Sequence, residues 1–190
     1  LAVGFAVSPL WTLTVLALAI IALPWLSVKY APVGAALYLV AAVGLGREHR
    51  RRAAAVLTGV LAAGGVAYLA VHKAIYGGVT AYASGDQFQS SGEFGVVGLH
   101  PDYPGRSIRL LGLLVDRDFG IAAWQPAWFL VIPALAALLA GRPRHWPALV
   151  APLLAGWATA TWVALTMQGY WWPGRQLVVV LPLAVLVILV

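Results

Sequence analysis

The sequence predicts an all-α fold: a polytopic transmembrane helical bundle of about six spans, forming a single transmembrane domain over 1–190 and expected to be a piece of a larger protein. Three observations predict it. Charged residues make up 9% of the chain and hydrophobic residues 62%, whereas an ordinary soluble domain is about a quarter charged. The mean hydropathy is +0.89, and a soluble domain of this size would lack the polar surface that water demands. Finally, the uncharged stretches fall into runs close to the ~20 residues that cross a hydrocarbon core, with basic residues concentrated in particular short loops.

The runs lie near 10–27, 31–46, 53–76, 119–140, 146–167 and 177–190. The first ends at "PWLSVKY", and the short second is stopped by "REHRRR" at 47–52. The third reaches the Gly pair at 77–78, and the fourth opens after "DRDFG" and stops at "GRPRH", 141–145. The fifth follows that turn and the sixth follows "YWWPGRQ". Prolines at 24, 32, 126, 133, 147, 152 and 182 lie in or near these runs; helices in lipid tolerate them when neighbours satisfy the freed backbone groups. The last run, "LVVVLPLAVLVILV", supplies 14 residues, too few at ~1.5 Å per residue for a core of ~30 Å. That shortfall, with Leu rather than Met at position 1 and no signal peptide visible, underlies the expectation of a fragment.

Loop charge sets the orientation. Loops 47–52 and 141–145 carry Arg47, Arg50, Arg51, Arg52, Arg142 and Arg144 against Glu48, a net +5. Six alternating spans put both on one face, which the positive-inside rule makes cytoplasmic. The other face holds Lys29, Lys73, Arg106, Arg109, Arg117 and Arg175 against Asp86, Glu93, Asp102, Asp116 and Asp118, a net +1. Loops 77–118 and 168–176 are therefore expected outside the plasma membrane. Trp11 and Trp146 at inner helix ends, and Trp25, Trp124, Trp171 and Trp172 at outer ones, fit interfacial belts. The lipid bilayer is the expected partner. The basic pI of 10.1 is explained by the same loops; no basic run with interleaved aromatics points to nucleic acid.

The absence of cysteine excludes disulfides, thiolate metal sites and cysteine nucleophiles. The four histidines show no ligand spacing, and no phosphate-binding Gly motif or nucleophile elbow appears. Span interiors almost free of ionisable residues argue against an ion-coupled transporter. Chemistry is left to the outer face, with its long loop 77–104, rich in Gly, Ser and Tyr and carrying aromatics at 82, 88, 94 and 103. After it, "GRSIRLLGLLVDR" puts Ile108, Leu111, Leu114 and Val115 near one helical face, a pattern for an interfacial helix over 105–117. Lys29, Arg117 and Arg175 stand at outer helix ends, where basic side chains snorkel to water. Converging, they would cradle a phosphate or pyrophosphate. "GYWWPGRQ" adds stacking aromatics to a cation, a mixture suited to sugar rings or lipid headgroups. Asp116 and Asp118 precede the run that opens near Phe119, where carboxylates cap free N–H groups.

"ALPWLSVKYAP", "GLLVDRDFGIAAWQPAWFLVIPAL" and "GYWWPGRQLVVVLPLAVL" resemble the later half of bacterial membrane glycosyltransferases of the C-type superfamily, mannosyltransferase-like members in particular. The resemblance covers most of the chain and rests on short motifs and loop order. It implies transfer of a sugar from a polyprenyl-phosphate donor on the extracytoplasmic face, often with a divalent metal, Mg²⁺ or Mn²⁺. Lys29, Arg117 and Arg175 would then contact the lipid-linked phosphate, and Tyr170, Trp171, Trp172 and Asp86 the sugar and acceptor. In that superfamily the catalytic acid lies in a first outer loop that this chain is expected to lack. Asp116 and Asp118, an Asp-x-Asp pair of the kind some glycosyltransferases use for metal, do not simply inherit that role but are the candidates this chain offers for it; no metal ligand is assigned. The alternative is a non-catalytic membrane module, such as a lipid or polymer flippase component, that binds headgroups without transferring anything.

Overall fold

The computed structural model describes residues 9–79, 103–163 and 174–190. Of these, 84% are helical and none lies in a strand. The chain, expected as one domain, divides into two compact units, 1–84 and 85–190.

In the first unit α1 (Pro9–Leu26), α2 (Ala31–Arg47) and α3 (Arg51–Tyr76) pack on one another. Ala17, Leu45 and Leu57 form the buried seam, flanked by Leu13, Tyr38, Ala41 and Leu61. Tyr38 Oη and Thr58 Oγ1 share a hydrogen bond of 3.0 Å between α2 and α3. At Gly64 the α3 backbone approaches Ile21 so closely that a Cβ would lie 2.8 Å from its side chain. The arginine-rich turn after α2 closes on two backbone bonds, Arg50 N–H to Leu45 O and His49 N–H to Gly46 O. His49 takes the left-handed conformation, φ 56°, where glycine is the usual choice. At the other end, Trp25 meets Tyr68 edge-on with ring centres 5.3 Å apart. Tyr68, His72 and Tyr76, spaced four apart, form a ladder along α3 in which the His72 Nδ1–H donates to the Tyr68 carbonyl.

In the second unit two short helices, α4 (Tyr103–Arg106) and α5 (Arg109–Val115), lead through a turn to α6 (Ile121–Trp124). A 3-10 segment, Pro126–Leu130, follows, then α7 (Val131–Gly141), α8 (Trp146–Ala158), a π-helical turn (Thr159–Val163) and, after a 3-10 turn at Arg175–Leu177, α9 (Leu181–Leu189). The run at 119–140 is therefore in three pieces, and Pro126 is the reason. It has no N–H to continue α6, and it drives Gln125 to extended angles, φ −139° and ψ 95°. Pro182 likewise sits in the first turn of α9, so the helix starts at 181 rather than 177. The segment 105–117 is two short helices rather than one. α7, α8 and α9 pack around Leu177, Val180 and Val187, among the most deeply buried side chains.

Among the described residues, Val28–Arg47 and Arg51–Tyr76 are long and apolar enough to cross a membrane, while Leu10–Leu26 and Pro126–Gly141 are apolar but shorter.

Gly156 of α8 lies against Val180, and a Cβ built there overlaps the valine side chain. Gly156→Val is expected to destabilise the second unit by about 1–3 kcal/mol through overpacking. Gly59→Ala, at a site with nothing within 4 Å, should be neutral or stabilising by up to ~1 kcal/mol through helix propensity. Thermal unfolding in detergent distinguishes the two.

Candidate functional site

The described candidates of the second unit lie on two turns, and three of them follow α5. α5 ends at Asp116, whose N–H bonds Gly112 O at 2.9 Å. Its carboxylate oxygen Oδ1 then accepts the N–H of Asp118 at 3.0 Å and of Phe119 at 2.9 Å. The Asp116 carbonyl accepts the Gly120 N–H at 2.9 Å, and the Asp118 carbonyl accepts Trp124 Nε1 at 3.1 Å. The loop is so tight that a Cβ at Gly120 would lie 2.5 Å from Asp116 N and 2.6 Å from its carbonyl oxygen. Capping was expected for these acids, and the structure refines the expectation. Asp116 alone caps, and it caps the turn; Gly120 holds the cap position of α6. Asp118 is exposed.

Arg117 projects from this turn, exposed, with no hydrogen bond or ion pair among the described residues. Arg175 opens the 3-10 turn before α9, also exposed. The preceding Gly174 is left-handed, φ 77°, and a Cβ there would lie 2.6 Å from Ile121 Cγ2. Gly174 thus seats the Arg175 turn on the first residue of α6, directly after the turn that bears Arg117. The two arginines expected in a phosphate cradle belong to adjoining turns of one unit. Lys29 belongs to the first unit, in the 3-10 turn Val28–Tyr30, with Nζ 5.2 Å from the Tyr30 ring centre. Tyr170, Trp171, Trp172 and Asp86, with most of the loop 77–104, lie outside the described residues.

A network that sequence reasoning did not single out fixes α4 and α5. Arg106 Nη1 donates to Trp162 O at 2.6 Å, and Trp162 Nε1 donates to Ser107 Oγ at 3.1 Å. Trp157 Nε1 donates to Leu110 O at 3.1 Å. The sequence signal was present, Trp157 and Trp162 five apart in an apolar run, but belt placement explains such residues equally well. Burial, and then the nearby Arg106 charge, hold the Arg109 guanidinium below the usual arginine range.

For the divalent metal that the family resemblance implies, the described donors do not suffice. No three His, Asp or Glu side chains cluster among them, and Asp116 commits one oxygen to two backbone N–H groups. No protein-family model, curated protein or solved structure matches the chain.

Replacing Asp116 with Ala removes two acceptor contacts at once and should cost about 1–2 kcal/mol, as lost caps do. Asp118→Ala should stay within about 0.5 kcal/mol, as at ordinary surface positions. Unfolding midpoints of the two variants check the contrast.

Proposed function

We propose that the chain is part of a membrane glycosyltransferase of the C type, embedded as six spans, which uses a polyprenyl-phosphate sugar on the extracytoplasmic face. One observation carries the reading: Gly174 on Ile121 joins the turns of Arg117 and Arg175. Two exposed guanidiniums on adjoining turns suit a phosphate group, which each can grip through two parallel N–H bonds. As the sugar leaves the donor, charge grows on the phosphate, and fixed cations stabilise that charge more in the transition state than in the ground state.

The membrane placement draws on the exterior of the helices. α3 leaves Val56, Val60, Val66, Leu69, Val71 and Ile75 exposed around much of its circumference, an exterior that lipid would cover. Hydroxyls on the apolar helices satisfy themselves: Thr14, Thr58, Thr159 and Thr161 each donate to the carbonyl four residues earlier. In lipid, where water offers no partner, such self-satisfaction is required. Loops 47–52 and 141–145 would then be cytoplasmic and loops 77–118 and 168–176 extracytoplasmic.

The rival reading, a non-catalytic headgroup-binding module, gains from the use of Asp116 as a turn cap, which leaves the described site without an evident base.

In the full-length protein, Arg175→Ala is expected to lower transfer from a polyprenyl-phosphate sugar by roughly 10- to 100-fold with expression retained, the worth of one charged hydrogen-bonding group. Unchanged turnover removes Arg175 from the mechanism, and donor binding without any transfer by the full-length protein favours the rival. Asp118→Asn separates two uses of the acids. If the site holds phosphate directly, removing a nearby negative charge tightens donor binding by roughly two- to fivefold; if Asp118 holds a metal that bridges to the donor, binding collapses.

A further inference from the structure

α4 and α5 form a short basic segment with two dissimilar sides. The side toward α8 and the π-helical turn is tied down by Arg106, Ser107 and the Leu110 carbonyl, which bond Trp162 and Trp157. Leu113 and Leu114 are buried. The other side carries Ile108, Leu111 and Val115, spaced three and four apart and therefore on one helical face. They are 79%, 70% and 50% exposed. The indole and guanidinium bonds fix the rotation of the segment, so this face cannot turn inward to hide. α6 packs against α5 and continues the apolar exterior with Trp124, also exposed. Leu114 is a correction to the sequence reading, which grouped it with this face.

We infer that α4 and α5 lie in the headgroup zone of the bilayer, with Ile108, Leu111 and Val115 dipping into the upper acyl chains. Composition selects this occupant: hydrophobic residues make up 62% of the chain and charged residues 9%, so an exposed apolar face beside the exposed Trp124 suits lipid. Apolar residues on one face with arginines at its margin are the pattern of helices that rest in a membrane interface. The segment would thereby hold the neighbouring turn of Arg117 at the height where a lipid-linked phosphate emerges from the chains.

This inference rests on the membrane placement proposed above but not on catalysis, and one experiment separates the two. The chain has no cysteine, so single-cysteine variants of the whole chain can be spin-labelled without background. Ile108→Cys, Leu111→Cys and Val115→Cys are reconstituted in phosphatidylglycerol-containing vesicles, with Val66→Cys on α3 as the depth reference and Leu113→Cys as the packed one. Relaxation by oxygen is compared with relaxation by a water-soluble nickel chelate. The expected result is three labels at one shallow depth, more accessible to oxygen than to nickel, with 66 deeper and 113 shielded from both. Labels at 108, 111 and 115 that respond mainly to nickel, or to neither agent, overturn the inference while a deep 66 leaves the membrane placement standing. A label at 66 that responds mainly to nickel overturns both.

Discussion

The second unit depends on two places where a backbone lies nearer to a side chain than a Cβ would permit: Gly156 against Val180 and Gly174 against Ile121. The first lets α8 and α9 approach until Val180 and Leu177 are fully enclosed. The second sets the Arg175 turn on α6. Close contact at Gly174 brings the two arginine turns together, as close contact at Gly156 brings α8 to Val180.

How much was legible from sequence differs between the units, for a physical reason. α1, α2 and α3 lie within two residues of the first three uncharged runs, because there charge and proline mark helix ends. In the later runs the apolar character continues through residues that are not one helix. Hydropathy registers what a residue prefers as solvent, whereas Pro126 and Pro182 decide where hydrogen bonding can run. The arginine-rich turns show a related limit. His49 and Arg142 end their helices in the left-handed region, φ 56° and 43°, where a reader of sequence looks for glycine. A basic residue there sits well against the negative end of a helix, and Arg142 Nε also donates to the Leu139 carbonyl.

The candidate site was legible in its cations and obscure in its supports. Arg117 and Arg175 stand out in sequence because charge is scarce. That their turns adjoin was not readable, since it depends on Gly174, one of 20 glycines, meeting a particular isoleucine. The bonds from Trp157 and Trp162 to the 106–110 segment were hidden for a similar reason: they link positions about 50 apart, and no local pattern encodes such a pairing.

Asp116 and Asp118 illustrate how two like residues in one short motif acquire different chemistry. A residue that ends a helix and begins a tight turn faces the N–H groups of the next few positions, which have no carbonyl within reach. At Asp116 the extended backbone, φ −54° and ψ 135°, aims the carboxylate at two of them, and the exchange of water for those donors is favourable because the acceptor is charged. Asp118, two residues later, stays exposed. An Asp-x-Asp pair that grips a cation must offer oxygens from both acids to one point. Here the backbone has already claimed one oxygen of the pair, while Arg117 between them presents a positive charge that opposes any metal ion. The pair therefore does not turn both acids on one point: Asp116 sets the shape of the turn, Arg117 carries its cation outward, and Asp118 leaves a second carboxylate in solvent.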